Sequence, residues 1–212
     1  MTVTIIYDNV AYMEGLRADW GFSCLVETDN VRILFDTGAN GATLLYNMEK
    51  LNIYPSSVDE VFISHAHRDH TGGLADFLKV NKKARVYLPS SIAETYGLDK
   101  VVSVAGPIQI HEGVFSTGEL KGTEQSLVVN TAKGLAVIAG CSHPGVSAIL
   151  TAASRWGKVY ALIGGLHGFR EFDLLRDLGL VCPCHCTQFK SGIERLHPEK
   201  HNGGGAGRTL QI

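Results

Sequence analysis

Three histidines and one aspartate occur within six residues, in the sequence His-Ala-His-Arg-Asp-His that spans residues 65–70. Imidazole nitrogens and carboxylate oxygens are ligands that suit zinc, iron or manganese. The apolar residues 61–63 predict a strand just before this stretch. At the exit of a strand, the period-two rule places His65 and His67 on one side, where both can bind one ion. Asp69 and His70 follow as the chain turns and face a second position. We therefore predict a metal site rather than a polar loop with incidental histidines.

The spacing His65-x-His67-x-Asp69-His70 after a short apolar strand resembles the signature of the metallo-β-lactamase superfamily. Four further motifs fit that resemblance, namely Phe35-Asp36-Thr37-Gly38, Gly140-Cys141-Ser142-His143-Pro144-Gly145, Gly164-Gly165-Leu166-His167 and Cys184-His185-Cys186-Thr187. Together with Thr117-Gly118-Glu119, they resemble a subgroup often labelled dihydropterin ribofuranosyl-aminobenzene-phosphate synthase. In the superfamily, the acid at the position of Asp36 supports the metal loop rather than binding the ion. An ordinary turn-forming aspartate is the alternative.

An ion held by His65 and His67 needs at least one more protein ligand, and we select His143. This residue lies just past the apolar residues 135–139, in a loop whose glycine and proline can hold a side chain stiffly. His111 is the competitor, although nothing around it resembles a site motif.

A second ion would be held by Asp69, His70 and one distant ligand, for which we select His185. In an extended segment over residues 182–186, alternation places the three cysteines on one face and His185 on the other. We expect the thiols to pack in the core while the imidazole reaches the site. The alternative makes the cysteines ligands of a structural zinc or an iron–sulfur cluster, but they lack the usual Cys-x-x-Cys spacing.

The mechanism that we predict is attack by a metal-bound water on an electrophilic carbon or phosphorus. Asp69 would orient that water. His167 is either a ligand or a proton donor above the ions, and a core histidine is the remaining alternative. Glu119 or His167 would contact the substrate or move protons.

Two positions depart from the superfamily pattern. Hydrolases of the superfamily usually carry a bridging aspartate where this chain has Cys141, and a histidine where it has Thr117-Gly118-Glu119. Without a bridging carboxylate, the repulsion between two dications is less offset. Cys141 is either a thiolate ligand or an inert buried thiol, and we favour the second.

Composition predicts an ordinary globular protein. The 212 residues are 45% hydrophobic and 19% charged, which suits a single domain over residues 1–212. The formal net charge of −2 offers no basic surplus for nucleic acid. We expect a small-molecule substrate, with no nucleic-acid or membrane partner, and leave a homo-oligomer open.

The amino terminus lacks the positive leader and long apolar core of a secretory signal. No apolar run approaches the ~20 residues that a membrane helix needs. Three of the five cysteines alternate within five residues, unlike a secreted disulfide framework. We therefore expect a reducing, cytoplasmic setting.

The remaining pattern predicts many short strands separated by helices. Strands are predicted at residues 3–7, 22–27, 31–35, 61–63, 85–88, 101–104, 108–111, 114–116, 126–130, 135–139, 159–163, 180–184 and 208–212. Helices are predicted at residues 40–51, with Asn40 as the cap, and at 74–78, 90–96, 146–153 and 188–196. The spacing of Phe172, Leu175 and Leu178 predicts one further amphipathic helix.

The two halves of the chain repeat a similar order of strands and helices. This pattern, supported by the resemblance, predicts an α/β fold (α+β by some schemes), a four-layer α-β-β-α sandwich of two mixed sheets. The first functional hypothesis is a metal-dependent hydrolase of a small anionic ester, thioester or phosphodiester. The alternatives are a pterin-pathway synthase or transferase, from the resemblance, and a non-hydrolytic metal-binding or redox protein. The expected cofactor is zinc, as one or two ions, with iron and manganese as alternatives.

Overall fold

A computed structural model describes residues 1–97 and 100–212 of the chain. Within these residues there are thirteen strands and six α-helices. The strands are β1 (Thr2–Tyr7), β2 (Ser23–Glu27), β3 (Arg32–Phe35), β4 (Glu60–Phe62), β5 (Arg85–Pro89), β6 (Val101–Val104), β7 (Ile108–His111), β8 (Val114–Ser116), β9 (Leu127–Thr131), β10 (Gly134–Ala139), β11 (Val159–Gly165), β12 (Leu180–Cys184) and β13 (Thr209–Gln211). The helices are α1 (Gly41–Lys50), α2 (Arg68–Thr71), α3 (Leu74–Val80), α4 (Ser90–Ala93), α5 (Val146–Ala153) and α6 (Lys190–Leu196).

The strands form two mixed sheets. In the described ranges, the first sheet has seven strands in the order β13-β1-β2-β3-β4-β5-β6, and the second has six in the order β12-β11-β10-β9-β8-β7. In the first sheet, β13 to β3 pair antiparallel and β3 to β6 pair parallel. In the second, β7 to β10 pair antiparallel and β10 to β12 pair parallel. The two halves of the chain therefore repeat one topology, as the sequence pattern predicted.

Three apolar layers hold the sheets and helices together. The central layer lies between the two sheets and includes Phe62 from β4 and Ile138 from β10. The outer face of the first sheet packs on α1 and α3, with Leu44 among the buried residues. The outer face of the second sheet packs on α5 and α6 through Ile149 and Ile193. The order helix, sheet, sheet, helix confirms the predicted four-layer sandwich.

The first helix begins where the sequence predicted. The Asn40 side chain accepts hydrogen bonds from the N–H groups of Ala42 and Thr43, so it caps α1 and satisfies two of the unpaired donors of the first turn. Among the described residues, no helix has the length and apolar character needed to cross a bilayer.

The helix predicted from Phe172, Leu175 and Leu178 is wrong. The chain forms only a 3-10 turn over Phe172–Leu175, followed by a tight turn in which Leu178 donates its N–H to the Leu175 carbonyl. Leu175 and Leu178 are buried all the same, because 3-10 geometry also places every third residue on one side. The chain then reaches Gly179, which packs against the Tyr160 ring.

The loops that carry the predicted site residues all follow the carboxyl ends of strands. Residues 64–70 follow β4, residues 140–145 follow β10, His167 follows β11 and His185 follows β12. Because β10, β11 and β12 are parallel, their loops emerge at one edge of the second sheet. This shared edge is where residues from distant parts of the chain meet.

Candidate metal centre

One group of potential ligands consists of His65, His67 and His143. Each offers one nitrogen, and these nitrogens all lie within 4.8 Å of one another. His65 Nε2 and His67 Nδ1 are 3.1 Å apart, and the His143 ring lies 4.7 Å from the His65 ring between centroids. The sequence prediction that these three residues come together agrees with this geometry.

A second group consists of Asp69, His70 and His185, whose ligand atoms also lie within 4.8 Å of one another. Asp69 Oδ2 is 3.2 Å from His185 Nε2 and 3.8 Å from His70 Nε2. The rings of His65 and His70 are 4.2 Å apart between centroids, so the two groups adjoin.

Asp36 determines which nitrogens of His65 and His70 face the centre. Its Oδ2 accepts from His70 Nδ1 at 2.7 Å and from the Ser64 hydroxyl at 2.7 Å. Since that hydroxyl donates to Asp36, it accepts from His65 Nδ1, which is 2.8 Å away. Both imidazoles therefore carry their proton on Nδ1 and leave Nε2 free for an ion. This confirms the expectation that Asp36 supports the loop.

Asn9 fixes the orientation of His185 in the same way. The Asn9 amide donates to the His185 carbonyl at 3.1 Å, so its Oδ1 is the acceptor that lies 2.9 Å from His185 Nδ1. The buried Asp8 accepts the backbone N–H of His185 at 3.0 Å. His185 Nε2 is consequently the nitrogen that points into the second group.

Glu124 holds the loop that carries His143, although no sequence motif indicated this role. Its Oε1 accepts the N–H groups of Gly140, Cys141 and Ser142 at 2.9–3.1 Å, and its Oε2 accepts that of His143 at 2.9 Å. Burial raises the pKa of this carboxyl, although the amides of the loop act in the opposite direction. One buried carboxylate thus positions residues 140–143, including His143.

The predicted substrate-binding Glu119 occupies a different place. Its Oε2 accepts from the Ser90 hydroxyl at 2.6 Å and from the Ser91 N–H at 3.0 Å. In the described part of the chain, it belongs to neither group of ligand atoms. Its role in substrate binding stays a prediction.

The competitor His111 lies away from the centre. Its Nε2 is 2.9 Å from Glu60 Oε2. Glu60 begins β4, whereas the loop with His65 follows the other end of that strand. His111 is therefore not brought to the clustered imidazoles.

His167 is an exposed residue at the rim, with its ring 5.2 Å from the His143 ring. This position agrees with the predicted role of His167 as a ligand or a proton donor. It rules out the alternative that His167 is a core histidine. Its φ of 46° is in the left-handed region, as are those of Asp36, Ser142 and His185. Non-glycine residues rarely adopt this conformation, and such strain concentrates at functional sites.

The prediction that the three clustered cysteines share one face is wrong for Cys186. Cys182 and Cys184 pack in the central apolar layer as predicted. However, β12 ends at Cys184, and the left-handed φ of 44° at His185 breaks the alternation. Cys186 consequently lies with Cys141 and His185 in a further group of ligand atoms within 4.8 Å.

Burial keeps several of these imidazoles neutral. It lowers the pKa of His185 to about 3, with the charge of His70 contributing. Burial also lowers the pKa values of His65 and His143, and neighbouring imidazoles add to the effect. At neutral pH these rings therefore present lone pairs, which is the form that binds metal.

Two buried ring nitrogens that lack hydrogen-bond partners also indicate that these residues can bind a divalent ion. His143 Nε2 and His185 Nε2 are buried, and neither has a hydrogen-bond partner among the described residues. A buried unpaired nitrogen costs free energy. A metal ion would satisfy both nitrogens.

The centre opens into a pocket and is bordered by an exposed indole. The pocket has a volume of about 410 Å³ and is lined by His65, Ala66, His67, Thr123 and His143. The Trp20 indole N–H donates to Asp69 Oδ2 at 3.0 Å, and 59% of Trp20 is exposed. Trp20 was not identified from the sequence.

The comparisons with known proteins agree with this geometry. The family described as the Metallo-beta-lactamase superfamily matches residues 20–151, and the chain belongs to that superfamily. It is an enzyme, of a kind compatible with hydrolase or transferase chemistry, and the fold implies that it binds divalent metal.

One relative is similar in sequence along nearly the whole chain, and two solved structures are similar in fold. The 7,8-dihydropterin-6-methyl-4-(beta-D-ribofuranosyl)-aminobenzene-5'-phosphate synthase of Methanocaldococcus jannaschii is 28% identical over 93% of this chain and 94% of that protein. A crystal structure of a metal-dependent hydrolase of the beta-lactamase superfamily has a TM-score of 0.81, is 26% identical, and covers 100% of this chain and 99% of that one. The metallo-beta-lactamase fold protein YhfI from Bacillus subtilis shares the fold at a TM-score of 0.70, with 14% identity over 99% of this chain and 98% of that one.

Proposed function

We propose that this chain is a metal-dependent hydrolase of a small anionic ester, thioester or phosphodiester, and that it binds two divalent ions, zinc by preference. The observation that supports the proposal is the pair of adjoining ligand groups, one built on His65 and the other on Asp69. We take residues 1–212 as one domain, because loops from both sheets contribute to the same pocket.

The charge of the site favours an anionic substrate. The two groups hold five imidazoles, which are neutral when they bind metal, and one carboxylate, that of Asp69. Two dications with one carboxylate leave a net positive centre, which attracts a phosphate or carboxylate group. The pocket of about 410 Å³ suits a small molecule.

Divalent ions at such a centre supply Lewis-acid chemistry and activate water at neutral pH. The chain's own residues would orient the attacking water and protonate the leaving group. Asp69, held by the Trp20 indole, can accept a hydrogen bond from the attacking water and align it. His167, exposed at the rim, can deliver a proton to the leaving group.

The test is a substrate panel run on metal-free protein reloaded with zinc, manganese or iron. We expect the zinc form to turn over at least one of a nitrophenyl ester, a thioester and a nitrophenyl phosphodiester. The Asp69→Asn variant should lose this turnover, and Asp173→Asn, at an exposed side chain, should keep it. Ions bound without turnover of any substrate would contradict the hydrolase proposal.

A second candidate is a transferase that joins a pterin to an aryl ribosyl phosphate. The alignment of the Methanocaldococcus jannaschii synthase along nearly the whole chain favours it. The exposed Trp20 indole beside Asp69 is also a suitable surface for a flat heterocycle. A coupling assay in parallel with the hydrolase panel separates the two, because only the transferase forms the joined product.

A further inference from the structure

The five cysteines differ in their access to solvent. All five lie in the described ranges and are free thiols. Cys24, Cys141, Cys182 and Cys184 are buried, whereas Cys186 is half-buried. A small oxidant in solution therefore reaches the Cys186 sulfur first. Thiols that sense oxidants combine such access with a second thiol close by.

Cys141 supplies a second thiol next to Cys186. The two sulfur atoms lie within 4.8 Å of each other, in the group that also includes a nitrogen of His185. The Cys186 sulfur is 3.9 Å from the carbonyl oxygen of Cys141. A disulfide needs sulfur atoms about 2.05 Å apart, and a change of rotamer moves a cysteine sulfur by roughly 3 Å. The rotation of one side chain is therefore of the right size to bring the two sulfurs together.

Gly165 allows these two cysteines to approach each other. A Cβ atom at this position would lie 2.7 Å from the Cys186 sulfur and 3.3 Å from the Cys141 Cα. The Gly165 N–H donates to the Gly140 carbonyl at 3.0 Å, and its carbonyl accepts from the Ser142 hydroxyl at 2.7 Å. The backbone on both sides of Cys141 is thus held against β11. The Cys186 sulfur occupies the place where a side chain of residue 165 would stand.

A second pair of sulfurs is shielded from solvent. Cys182 Sγ and Cys184 Sγ are 3.8 Å apart, but both residues are 0% exposed and pack in the central apolar layer. Cys141 is also buried, at 3% exposure. Access to an oxidant therefore makes Cys186 the thiol that reacts first. Its short distance makes Cys141 the thiol that reacts second.

We propose that Cys186 is a peroxide-sensitive thiol whose oxidation forms a disulfide with Cys141 and weakens metal binding by the second ligand group. This inference rests on the proposed function in that it regulates the same metal centre. First, the Cys186 sulfur takes one oxygen atom from hydrogen peroxide and becomes a sulfenic acid, and the other oxygen leaves as water. The Cys141 sulfur then attacks the Cys186 sulfur, so that a sulfur–sulfur bond forms, the sulfur–oxygen bond breaks and a second water leaves with the Cys141 proton. The two thiols are oxidised and the peroxide is reduced.

The disulfide acts on the metal centre through His185. Cys186 directly follows this residue in the chain, so a bridge to Cys141 pulls on the backbone of His185. The orientation of His185 depends on two contacts, which are the backbone N–H bond to Asp8 and the ring contact with Asn9. The loss of such supporting contacts weakens metal binding roughly 10–100-fold.

The test is a peptide map of zinc-loaded protein after treatment with hydrogen peroxide and alkylation of the remaining thiols. Cleavage after lysine and arginine places Cys141 and Cys186 on separate peptides, because Arg155 and Arg176 lie between them. We expect these two peptides to be cross-linked, with the loss of two hydrogen atoms. Cys24→Ala, which removes a thiol of the central apolar layer, should still form the cross-link, and Cys186→Ser should not.

Competition with a chelating dye then measures zinc affinity before and after peroxide. In the unaltered chain, we expect the affinity of the second ligand group to fall roughly 10–100-fold and to recover with dithiothreitol. The affinity of Cys186→Ser should be the same before and after the treatment. If this variant does not fold, the unaltered chain alone still decides the test.

An unaltered chain in which peroxide leaves these two peptides separate would overturn the proposal. A cross-link that forms without loss of zinc affinity would also overturn it, while leaving the proposed hydrolase intact. A protein whose second ligand group binds no zinc before oxidation would overturn both.

Discussion

Asp36 and His70 form a fully buried pair in which the carboxylate Oδ2 lies 2.7 Å from the imidazole Nδ1. Burial alone would lower the pKa of His70, but the Asp36 carboxylate outweighs it and raises that pKa. The same carboxylate holds Ser64 through both its N–H and its hydroxyl. One acid that binds no ion thereby orients two of the proposed ligands.

Replacing Asp36 by asparagine should weaken metal binding without removing a ligand. Asparagine keeps only one of the two acceptor oxygens, so its amide nitrogen faces either the Ser64 N–H or the pair formed by the Ser64 hydroxyl and His70 Nδ1. Either orientation leaves a buried donor unpaired and loosens the residues that orient His65 and His70. We expect zinc affinity to fall roughly 10–100-fold. Competition with a chelating dye measures this affinity. Asp29→Asn, at an exposed turn, is the control, and equal affinities in the two variants would contradict the role of Asp36.

Glu124→Gln should destabilise the protein as well as its metal site. The amide turns one acceptor into a donor that faces backbone N–H groups of residues 140–143. Leaving buried donors unpaired costs about 1–3 kcal/mol each, so the midpoint of urea unfolding should fall clearly. Glu119→Gln is the matched control, since that carboxylate bonds Ser90 and Ser91 near the surface. Similar midpoints for both variants would show that Glu124 does not hold the loop.

Trp20→Phe should affect activity and leave stability unchanged. The substitution keeps an aromatic ring beside His185 but removes the N–H that orients Asp69. A hydrogen bond to a charged group contributes about 1.5–3 kcal/mol, and exposure reduces this value, so turnover should fall roughly tenfold. Tyr54→Phe alters another exposed aromatic residue and serves as the control. Unchanged kcat/KM in Trp20→Phe would contradict a role for the indole.

The metal-free protein should lose stability as the pH falls below about 6.5, the ordinary pKa of histidine. Burial lowers the pKa values of His65, His143 and His185 in the folded state. Between those values and about 6.5, the unfolded chain binds more protons than the folded one, so acid favours unfolding. The raised pKa of His70 acts at higher pH, where its contribution is lost as the pH rises.

Urea unfolding in the presence of a chelator, followed between about pH 5 and 7, checks this dependence. His143→Ala should reduce the slope of the free energy of unfolding against pH, because one of the titrating imidazoles is gone. His201→Ala, outside the two ligand groups, should leave the slope unchanged. A metal-free protein that is equally stable across this range would contradict the neutral, buried state of the imidazoles.

Much of the fold follows from local sequence patterns. The strands β1 to β4 alternate apolar residues between the central and outer layers, and Asn40 offers a recognisable helix cap. The failure at residues 172–178 has a local cause, because tight turns bury Leu175 and Leu178 and partly bury Phe172 without an α-helix. Periodicity reports which side chains face the core, and several backbone conformations satisfy it.

The site is predictable in its ligands and less so in what supports them. His65, His67 and Asp69 are close in sequence, so their spacing alone indicates a metal. The contact of Glu124 with residues 140–143 joins segments that are distant in sequence. A single sequence gives no signal for such a contact. The position of Cys186 was predicted wrongly for another reason. Nothing in the sequence predicts that His185 adopts a left-handed conformation.

The most direct test of the central claim is anomalous X-ray diffraction at the zinc edge from crystals of the zinc-loaded protein. We predict two zinc peaks in one pocket. One peak should lie among His65, His67 and His143, and the other among Asp69, His70 and His185. A saturated protein with no zinc peak between these side chains, or with zinc bound only elsewhere on the surface, would contradict the account.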